Sequence, residues 1–510
     1  MVLPTTVREA ARRFGDRNAY VAEAGWPITY RDLDRVSDEA AAALHQRGIG
    51  VGDVVALMLP PSPDFLLAYL ALAKLGAITA GVNDRLAPSE RQRVLERADP
   101  ALVIATDDLA LDPFPTTTIA PAAGIDGVLQ GLREHGASPT PLPDEPDRDV
   151  AIIFTSGTTG TPKGARYGNR QLAFITKTDV GDAWDLGGRS FAGTSYAHLG
   201  FITKLAGNLR RGGQNFMMTR WRAEATLALL ERERLTTVAG VPTQLALMLR
   251  HPRFDDFDLS SVQFIVAGGG PITPGLAEEA RARFGARLST RYSCTEAGIG
   301  LGTAFDAPDE DAIVSVGRPL PGVELSLRDP DDATRTESLE RGAIGEVCLR
   351  SPACMTGYWN DPEATAAAFT PDGFVRTGDL GQLDDHGRLR LVGRAKEMYV
   401  RGGYNVYPVE VEAVLSTHPD VAAIAIVPRP DPVMGEIGVA CVVLRERAAV
   451  SLPALRDHGS QALAAYKLPE AIHVVDALPL TPGEKVDRRA LAWVVTDTDS
   501  THSSPTSADR

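Results

Sequence analysis

Helical patterns alternate with short β-rich runs from the N-terminus to about residue 390. Helical stretches at residues 30–48 and 63–75 flank a β-rich run at 54–59, and another run follows at 101–106. Strands that alternate with helices are joined by crossover connections, which favours layered α/β structure built mainly on parallel sheets. We therefore predict an α/β fold with a large, layered N-terminal domain.

The pattern changes after residue 394. Residues 395–494 contain helical patterns at 408–416 and 452–463 and β-rich runs at 421–427, 438–444 and 471–475, which is sufficient for a small α+β domain. Residues 495–510 are rich in Ser, Thr and Asp without apolar periodicity, as is typical of a disordered tail. The sequence thus predicts an N-terminal domain over 1–394, a C-terminal domain over 395–494 and a tail over 495–510.

Charge and cysteine content restrict the class of protein. The chain has 510 residues, with 52 basic and 66 acidic side chains and a net charge of −14, which disfavours nucleic acid as a partner. Its four cysteines lack the spacing of a metal site or a disulfide framework, which favours reduced thiols and a cytoplasmic location. The longest apolar stretch, 65–82, is interrupted by Lys74 and Gly76, so we predict a buried helix and strand rather than a membrane span.

A stretch rich in glycine and hydroxyl side chains follows the β-rich run at 150–154. Its residues are Thr155, Ser156, Gly157, Thr158, Thr159, Gly160, Thr161, Pro162, Lys163 and Gly164. Glycines let backbone N–H groups approach a polyphosphate, and the hydroxyls and the ammonium group add further donors. Because the stretch matches neither a Walker A loop nor a G-x-S-x-G elbow, we interpret it as a phosphate-binding loop of another kind.

The order of motifs resembles that of the adenylate-forming superfamily, which includes acyl- and aryl-CoA synthetases, adenylation domains of peptide synthetases, and luciferases. Besides the phosphate loop, the matching stretches are 29–33 (TYRDL), 268–271 (GGGP), 292–296 (YSCTE), 376–380 (RTGDL), 393–397 (GRAKE) and 403–408 (GYNVYP). Lys485 matches the family's catalytic lysine, although Glu484 stands where the family usually has glycine. Ser293 likewise replaces a glycine. The resemblance covers roughly residues 5–494.

The resemblance implies that ATP and Mg2+ activate a carboxylic acid as an acyl-adenylate, with pyrophosphate leaving. Its implied catalytic residues are Lys485, between the acid and the α-phosphate, Thr295 on that phosphate, Glu296 as the Mg2+ ligand, and His198. Asp379 would hold the ribose hydroxyls. The implied ATP/AMP-binding set comprises residues 155–163 and Gly269, Gly270, Pro271, Thr290, Arg291, Tyr292, Ser293, Thr295, Asp379, Arg394 and Lys485.

Lysine is scarce in this chain, which makes its positions informative. Only seven of the 52 basic residues are lysines, yet lysine occupies positions 163, 396 and 485, where the family motifs have one. An ammonium group is a compact point charge on a flexible stem, unlike the planar guanidinium group. The distribution favours a chemical requirement for ammonium at these three positions.

The acyl substrate is restricted by the segment around His198, which loosely matches a stretch found in many CoA ligases. Amino-acid-activating relatives place an aspartate in this segment, and none occurs between residues 190 and 210. The implied acyl pocket consists of His198, Val241, Gly268, Gly270 and Gly298. These mostly small or apolar residues suit an uncharged aliphatic or aryl acid.

The resemblance also implies a mobile C-terminal domain that rotates about a hinge at Lys396. The implied CoA-binding residues are Arg401, Gly402, Gly403, Asn405 and Lys467. Only 25 residues follow Lys485, too few for a fused carrier domain, so we expect CoA as the acceptor. The alternatives are a separate carrier protein and, as a minor one, a catalytically silent nucleotide-binding protein that acts through interactions. The oligomeric state is left open between monomer and homodimer.

Overall fold

The computed structural model describes residues 2–155, 161–330, 332 and 336–500. Its strands, in chain order, are β1 (Asn18–Val21), β2 (Pro27–Thr29), β3 (Val54–Met58), β4 (Ile78–Gly81), β5 (Leu102–Ala105), β6 (Thr116–Thr118), β7 (Asp149–Thr155), β8 (Lys163–Gly168), β9 (Arg189–Ala192), β10 (Gln214–Met217), β11 (Thr237–Gly240), β12 (Phe264–Gly268), β13 (Arg287–Cys294), β14 (Gly298–Gly302), β15 (Arg318–Pro319), β16 (Glu324–Arg328), β17 (Ile344–Arg350), β18 (Val375–Leu383), β19 (Leu389–Arg394), β20 (Tyr399–Arg401), β21 (Tyr404–Val406), β22 (Val421–Asp431), β23 (Gly435–Leu444) and β24 (Ala471–Val474).

The helices connect and cover these strands. In chain order they are α1 (Leu3–Phe14), α2 (Tyr30–Gln46), α3 (Pro63–Leu75), α4 (Pro88–Ala98), α5 (Asn169–Val180), α6 (Leu199–Ile202), α7 (Leu205–Arg211), α8 (Ala223–Arg232), α9 (Pro242–Leu249), α10 (Pro274–Phe284), α11 (Asp309–Val314), α12 (Pro362–Ala368), α13 (Pro408–Leu415), α14 (Leu452–Ser460) and α15 (Arg488–Ser500).

Two sheets of the N-terminal part are mainly parallel, and a third has two parallel and two antiparallel strand pairs. Their strand orders are β6-β5-β3-β4-β7-β8, β2-β1-β10-β9 and β11-β12-β13-β14-β15. In the first sheet only the β7–β8 pair is antiparallel, and in the third the parallel strands β11, β12 and β13 lie side by side. A fourth sheet, β16-β17-β18-β19, is antiparallel. The predicted α/β class with a large N-terminal domain is confirmed.

Helix α3 shows how the longest apolar stretch is accommodated. Ser62 caps its N-terminus, accepting a hydrogen bond from the Phe65 N–H at 3.2 Å, and Gly76 ends it in a left-handed conformation. All its residues are buried, including Lys74, whose ammonium group donates to Asp34 and Asp38 of α2 at 2.6 and 2.7 Å. The prediction of a buried helix and strand is therefore confirmed. Among the residues described, no helix is both long and apolar enough to cross a membrane.

The C-terminal part has its own sheet, with the order β21-β20-β23-β22 and with β24 parallel to β23. Strand β19 ends at Arg394 in the fourth sheet, and the next strand, β20, already belongs to the C-terminal sheet. Helix α15 continues to Ser500, past the predicted start of the tail at residue 495, because Leu491 and Val495 pack against the sheet. Residues 501–510 lie outside the described chain.

Candidate active site

The phosphate-loop stretch lies in the connection between two antiparallel strands. Strand β7 ends at Thr155, which pairs with Lys163 at the start of β8, and the Thr155 hydroxyl lies 3.5 Å from the Lys163 carbonyl oxygen. Gly164 follows where a side chain does not fit, since a Cβ there would come within 2.5 Å of Ile152. Of the predicted phosphate-binding residues, Thr161 is exposed and Pro162 buried, while Ser156, Gly157, Thr158, Thr159 and Gly160 lie outside the described residues.

Tyr358 connects this hairpin to the predicted magnesium ligand. The Lys163 ammonium lies 5.1 Å from the centroid of the Tyr358 ring, and the Tyr358 hydroxyl donates to Glu296 Oε1 at 2.9 Å. Burial and the Glu296 charge both raise the pKa of Tyr358, so the hydroxyl stays protonated as a donor. Tyr167 adds a second tie, donating to the Thr295 carbonyl oxygen at 2.7 Å. Lys163, Thr295 and Glu296 are thereby held as one group.

Asp379 accepts hydrogen bonds on both oxygens of its carboxylate. It lies in β18 opposite Arg394 of β19, whose Nε donates to Oδ1 at 2.8 Å. On the other side, the Tyr292 hydroxyl of β13 donates to Oδ2 at 2.6 Å. Burial and the Asp379 charge raise the pKa of Tyr292, which keeps this phenol protonated. The carboxylate is only 6% exposed and is fixed from two sheets at once.

Lys485 reaches this group from the C-terminal part of the chain. Its backbone closes a turn with Thr481, whose N–H donates to the Lys485 carbonyl oxygen at 2.8 Å. Desolvation by the surrounding protein and the charge of Arg394 lower the pKa of Lys485, while Asp379 and Glu397 oppose them. The adjacent Glu484 contacts Arg85 and Gln244, so the Lys485 turn lies against the N-terminal domain, where the charges of Asp379 and Arg394 act on the lysine. The structure thus brings together predicted residues that are about 100 positions apart.

His198 belongs to the N-terminal domain, where its ring contacts Asn83. It precedes helix α6, and its Nε2 is 3.1 Å from the amide nitrogen of Asn83. Burial, followed by the charges of Lys485 and Arg85, lowers the pKa of His198 to about 4. His198 is therefore neutral at physiological pH and offers the site a polar but uncharged ring.

Glycines line the edge where parallel strands β11 and β12 end. A Cβ on Gly268 would lie 3.0 Å from the Arg291 carbonyl oxygen, and one on Gly269, at φ +79°, would lie 3.2 Å from Val241. Gly270 is less restricted, with Pro242 3.8 Å from the corresponding position. The predicted pocket residues Val241, Gly268 and Gly270 are therefore neighbours at one sheet edge.

At Gly298, backbone conformation and close packing both exclude a side chain. It follows the turn that carries Glu296, has φ +68°, and a Cβ there would come within 2.5 Å of the Ala353 carbonyl oxygen. The space toward which a side chain would point is filled by protein. Its glycine is explained by close packing of the backbone, not by room for an acyl group.

Two residues of the predicted nucleotide set have side chains engaged within their own sheet. The Thr290 hydroxyl is buried and lies 3.4 Å from the Ser315 carbonyl oxygen. Arg291 donates to the Thr303 carbonyl oxygen at 2.7 Å and lies over the Phe305 ring. Strand β13 alternates its faces, so consecutive residues cannot all turn toward one ligand. Of the other members of the set, Ser293 is partly buried and Pro271 exposed.

The predicted CoA-binding residues lie on the C-terminal domain. Arg401 is paired with Glu470, and the Lys467 ammonium donates to both oxygens of Glu410 at 2.6 and 2.8 Å. Gly402, Gly403 and Asn405 are exposed in the β20–β21 hairpin, and the predicted hinge residue Lys396 is exposed in the turn before β20. Both cations of the set thus already have carboxylate partners in this conformation.

The described residues of the site offer one carboxylate, Glu296, as a ligand for Mg2+. Among the residues described, no three His, Cys, Asp or Glu side chains are grouped as a metal site. Mg2+ needs few protein ligands when a substrate supplies phosphate oxygens, and one or two carboxylates are sufficient. Glu296, half-buried and held at one oxygen by Tyr358, matches that requirement.

Sequence reasoning missed several residues that build the site. They are Asn83, Arg85, Tyr167, Gln244, Tyr358 and Glu397. None lies in one of the short motifs that define the site except Glu397, which follows the predicted hinge residue. Their roles depend on contacts between distant parts of the chain, for which a single sequence carries no local signal.

Comparison with known proteins gives matches over most of the chain. Residues 7–359 match the family described as AMP-binding enzyme, and residues 410–485 match the AMP-binding enzyme C-terminal domain. A 4-coumarate–CoA ligase from Nicotiana tabacum is 31% identical, with 91% of this chain and 88% of the relative covered. A fatty acid–[acyl-carrier-protein] ligase, ScoC, from Streptomyces coeruleorubidus is also 31% identical, with 92% and 91% covered. The solved structure of the amide bond synthetase McbA from Marinactinospora thermotolerans is 30% identical, with a TM-score of 0.84 and 97% and 99% covered.

Proposed function

The chain belongs to the family of AMP-binding, adenylate-forming enzymes, and from this premise we propose that it converts an uncharged aliphatic or aryl carboxylic acid into its acyl-CoA. The carboxylate attacks the α-phosphate of ATP and pyrophosphate leaves. The thiol of CoA then attacks the acyl carbon, loses its proton and displaces AMP. The observation that carries the proposal is the turn that carries Lys485, which Glu484 joins to Arg85 and Gln244 of the N-terminal domain.

The adenylation step brings two anions together, so positive charge is needed where they meet. Lys485 can contact the acid and the α-phosphate simultaneously, because its ammonium group has three donors on a flexible stem. Asp379, fixed by Tyr292 and Arg394, accepts hydrogen bonds from the ribose hydroxyls and sets the position of the nucleotide. Pre-fixed groups of this kind favour the reacting geometry over other bound geometries.

Mg2+ would be held by Glu296 together with phosphate oxygens of ATP. When bound, the ion supplies positive charge that offsets the charge of the phosphates. Tyr358 orients the Glu296 carboxylate by donating to one oxygen, which leaves the other available as a ligand. Lys163, over the Tyr358 ring, adds a second positive charge near the phosphate loop.

The preference for an uncharged acid rests on the pocket side of the site. His198 is neutral at physiological pH because its pKa is lowered to about 4. Val241, Gly268 and Gly270 add apolar surface or bare backbone at the sheet edge. None of these pocket residues carries a charge, so a charged group on the acyl chain would find no charged partner among them.

Free CoA is the first choice of acceptor, and a separate carrier protein is the second. The exposed glycine-containing hairpin at residues 401–405 can admit a thin pantetheine arm, which CoA and a carrier protein share. The carrier-protein alternative is supported by ScoC, whose name assigns it that kind of acceptor at 31% identity. An amine is a third acceptor to test, since McbA is described as an amide bond synthetase.

A panel of carboxylic acids in an acid-dependent ATP–pyrophosphate exchange assay tests the first step. The active acid is then incubated with ATP, Mg2+ and either CoA, a phosphopantetheine-loaded carrier protein or an amine, and the products are identified by mass spectrometry. We expect acyl-CoA. Absence of exchange with every acid would reject the proposed function. Exchange without acyl-CoA, but with loading of a carrier protein or an amine, would reject CoA as the acceptor.

Lys485→Ala tests the residue on which the proposal rests. We expect the variant to lose exchange but to retain much of the transfer to CoA when a preformed acyl-adenylate is supplied. Lys177→Ala, which removes an exposed lysine from helix α5, is the matched control and should keep both activities. Equal loss of both steps in Lys485→Ala would mean that Lys485 is not specific to adenylation.

A further inference from the structure

Glu484, directly before Lys485, has a backbone conformation that suits glycine better. Its φ is +61°, in the left-handed region that side chains other than glycine rarely adopt. Glycine at this position would satisfy the turn at no conformational cost. The glutamate side chain must therefore do something that offsets the unfavourable backbone.

The Glu484 carboxylate joins the Lys485 turn to two elements of the N-terminal domain. Its Oε1 accepts from Arg85 Nη1 at 2.5 Å, and its Oε2 accepts from the side-chain amide of Gln244. Arg85 lies between β4 and α4, and Gln244 lies in the first turn of α9. The Arg85 and Glu484 side chains are only 22% and 16% exposed, so water screens this ion pair incompletely.

Both partners of Glu484 are linked to residues of the predicted acyl pocket, Gln244 directly and Arg85 through Asn83. Gln244 is 2% exposed, and its Oε1 accepts from the Val241 N–H at 3.1 Å, which fixes the start of α9. Arg85 donates its backbone N–H to the Asn83 side chain at 3.0 Å. Asn83 in turn contacts His198. Val241 is therefore linked to Glu484 through Gln244, and His198 is linked to Glu484 through Asn83 and Arg85.

We propose that Glu484 is a positioning residue that couples the acyl pocket to Lys485, holding the lysine in the adenylating position through the clasp of Arg85, Glu484 and Gln244. Adjacent residues share a peptide unit, so an immobilised Glu484 leaves Lys485 little freedom beyond its own side-chain rotamers. In the clasp, the Glu484 carboxylate also offsets the positive charge of Arg85, which acts on His198 together with the charge of Lys485. The inference rests on the proposed function, because it concerns the adenylation step.

Glu484→Gly separates the effect of the side chain from the effect of the backbone conformation. The variant removes the clasp and at the same time gives the turn the residue that its φ favours. We expect kcat of ATP–pyrophosphate exchange to fall about tenfold, the order expected for losing charge-assisted hydrogen bonds. The KM for ATP and the transfer from a preformed acyl-adenylate should stay unchanged, which a generally destabilised protein would not show. Exchange at or above the native rate would overturn the inference.

Arg85→Ala completes a double-mutant cycle. If Arg85 and Glu484 act as one clasp, combining their substitutions should cost little more than Glu484→Gly alone, since neither partner works without the other. Fully additive losses would mean that the two residues act separately, which contradicts the clasp.

The control removes an ion pair at another place between the same two domains. Arg445 Nη2 lies 2.9 Å from Glu279 Oε2, and Arg445→Ala should leave both half-reactions near their native rates. A loss of exchange equal to that of Glu484→Gly would indicate general weakening of the domain contact and would refute the coupling. If the unmodified chain shows no exchange with any acid, the proposed function itself fails. If it shows exchange that Glu484→Gly does not change, only the present inference fails.

Discussion

The neutral state of His198 makes the stability of the protein depend on pH in a calculable way. Its pKa in the folded chain is about 4, whereas an unfolded histidine titrates near 6.5. Between these values the unfolded chain binds a proton that the folded chain does not. Lowering the pH through this window therefore stabilises the unfolded state, and the contribution of neutral His198, complete above pH 6.5, is progressively lost down to pH 4.

The size of this effect follows from the two pKa values. At pH 5 an unfolded histidine with a pKa near 6.5 is almost fully protonated, while His198 is almost fully neutral. The expected loss of unfolding free energy between pH 7.5 and pH 5 is at most about 2 kcal/mol. His198→Gln removes the titration but keeps an amide that can still contact Asn83. The difference in unfolding free energy, native chain minus variant, should therefore fall by at most about 2 kcal/mol between pH 7.5 and pH 5.

Urea unfolding of both proteins at pH 7.5, 6 and 5 measures the difference. Comparing the two chains cancels the titration of all other groups that the substitution leaves undisturbed. A His198 ring resonance, assigned by its absence in the variant, gives the pKa directly. Lys485→Met should raise that pKa, because the Lys485 charge contributes to lowering it. A stability difference independent of pH, or a ring that titrates near 6.5, would refute the reasoning.

Three further predictions concern other contacts. Tyr292→Phe removes the donor to Asp379, so the KM for ATP should rise about tenfold in initial-rate measurements, and an unchanged value would show that the carboxylate is fixed without it. Tyr358→Phe releases one oxygen of Glu296, so the Mg2+ concentration for half-maximal pyrophosphate exchange should rise, whereas an identical Mg2+ dependence would show that Tyr358 does not orient Glu296 for the ion. Lys74→Met leaves two partly buried aspartates without their cation and should lower the unfolding free energy by about 3 kcal/mol in urea titrations, and a loss within error of zero would contradict the structural role of this ion group.

The general architecture was predictable because periodicity is a local property of the sequence. Alternating helix and strand patterns gave the α/β class, and the apolar stretch interrupted by Lys74 was correctly read as a buried helix. Helix α15 was missed because its apolar residues form one consecutive run, 490–495, without helical periodicity: Leu491 and Val495 pack on the sheet, whereas Trp493 between them is 73% exposed.

The candidate site was predictable only in part. The motif order singled out Asp379 and Lys485, and in the folded chain the charge of Asp379 acts on the lysine. It could not single out Tyr358 or Gln244, whose contacts come from segments far away in the sequence. The motif order also places the consecutive residues 290–293 in one nucleotide-binding set, whereas the structure shows the Arg291 side chain donating to the Thr303 carbonyl oxygen.

The pairing of Arg401 with Glu470 and of Lys467 with Glu410 has a consequence for ligand exchange. An incoming anion must displace the carboxylate that is already bound to each cation. The binding free energy it gains is therefore only the difference between its own interaction with the cation and that of the carboxylate. Small, weakly charged anions are therefore poor competitors, while a phosphate group with two negative charges competes better with each carboxylate. Because one pairing replaces another, few counterions are released, and binding here should weaken less steeply with salt than binding to an uncompensated basic surface.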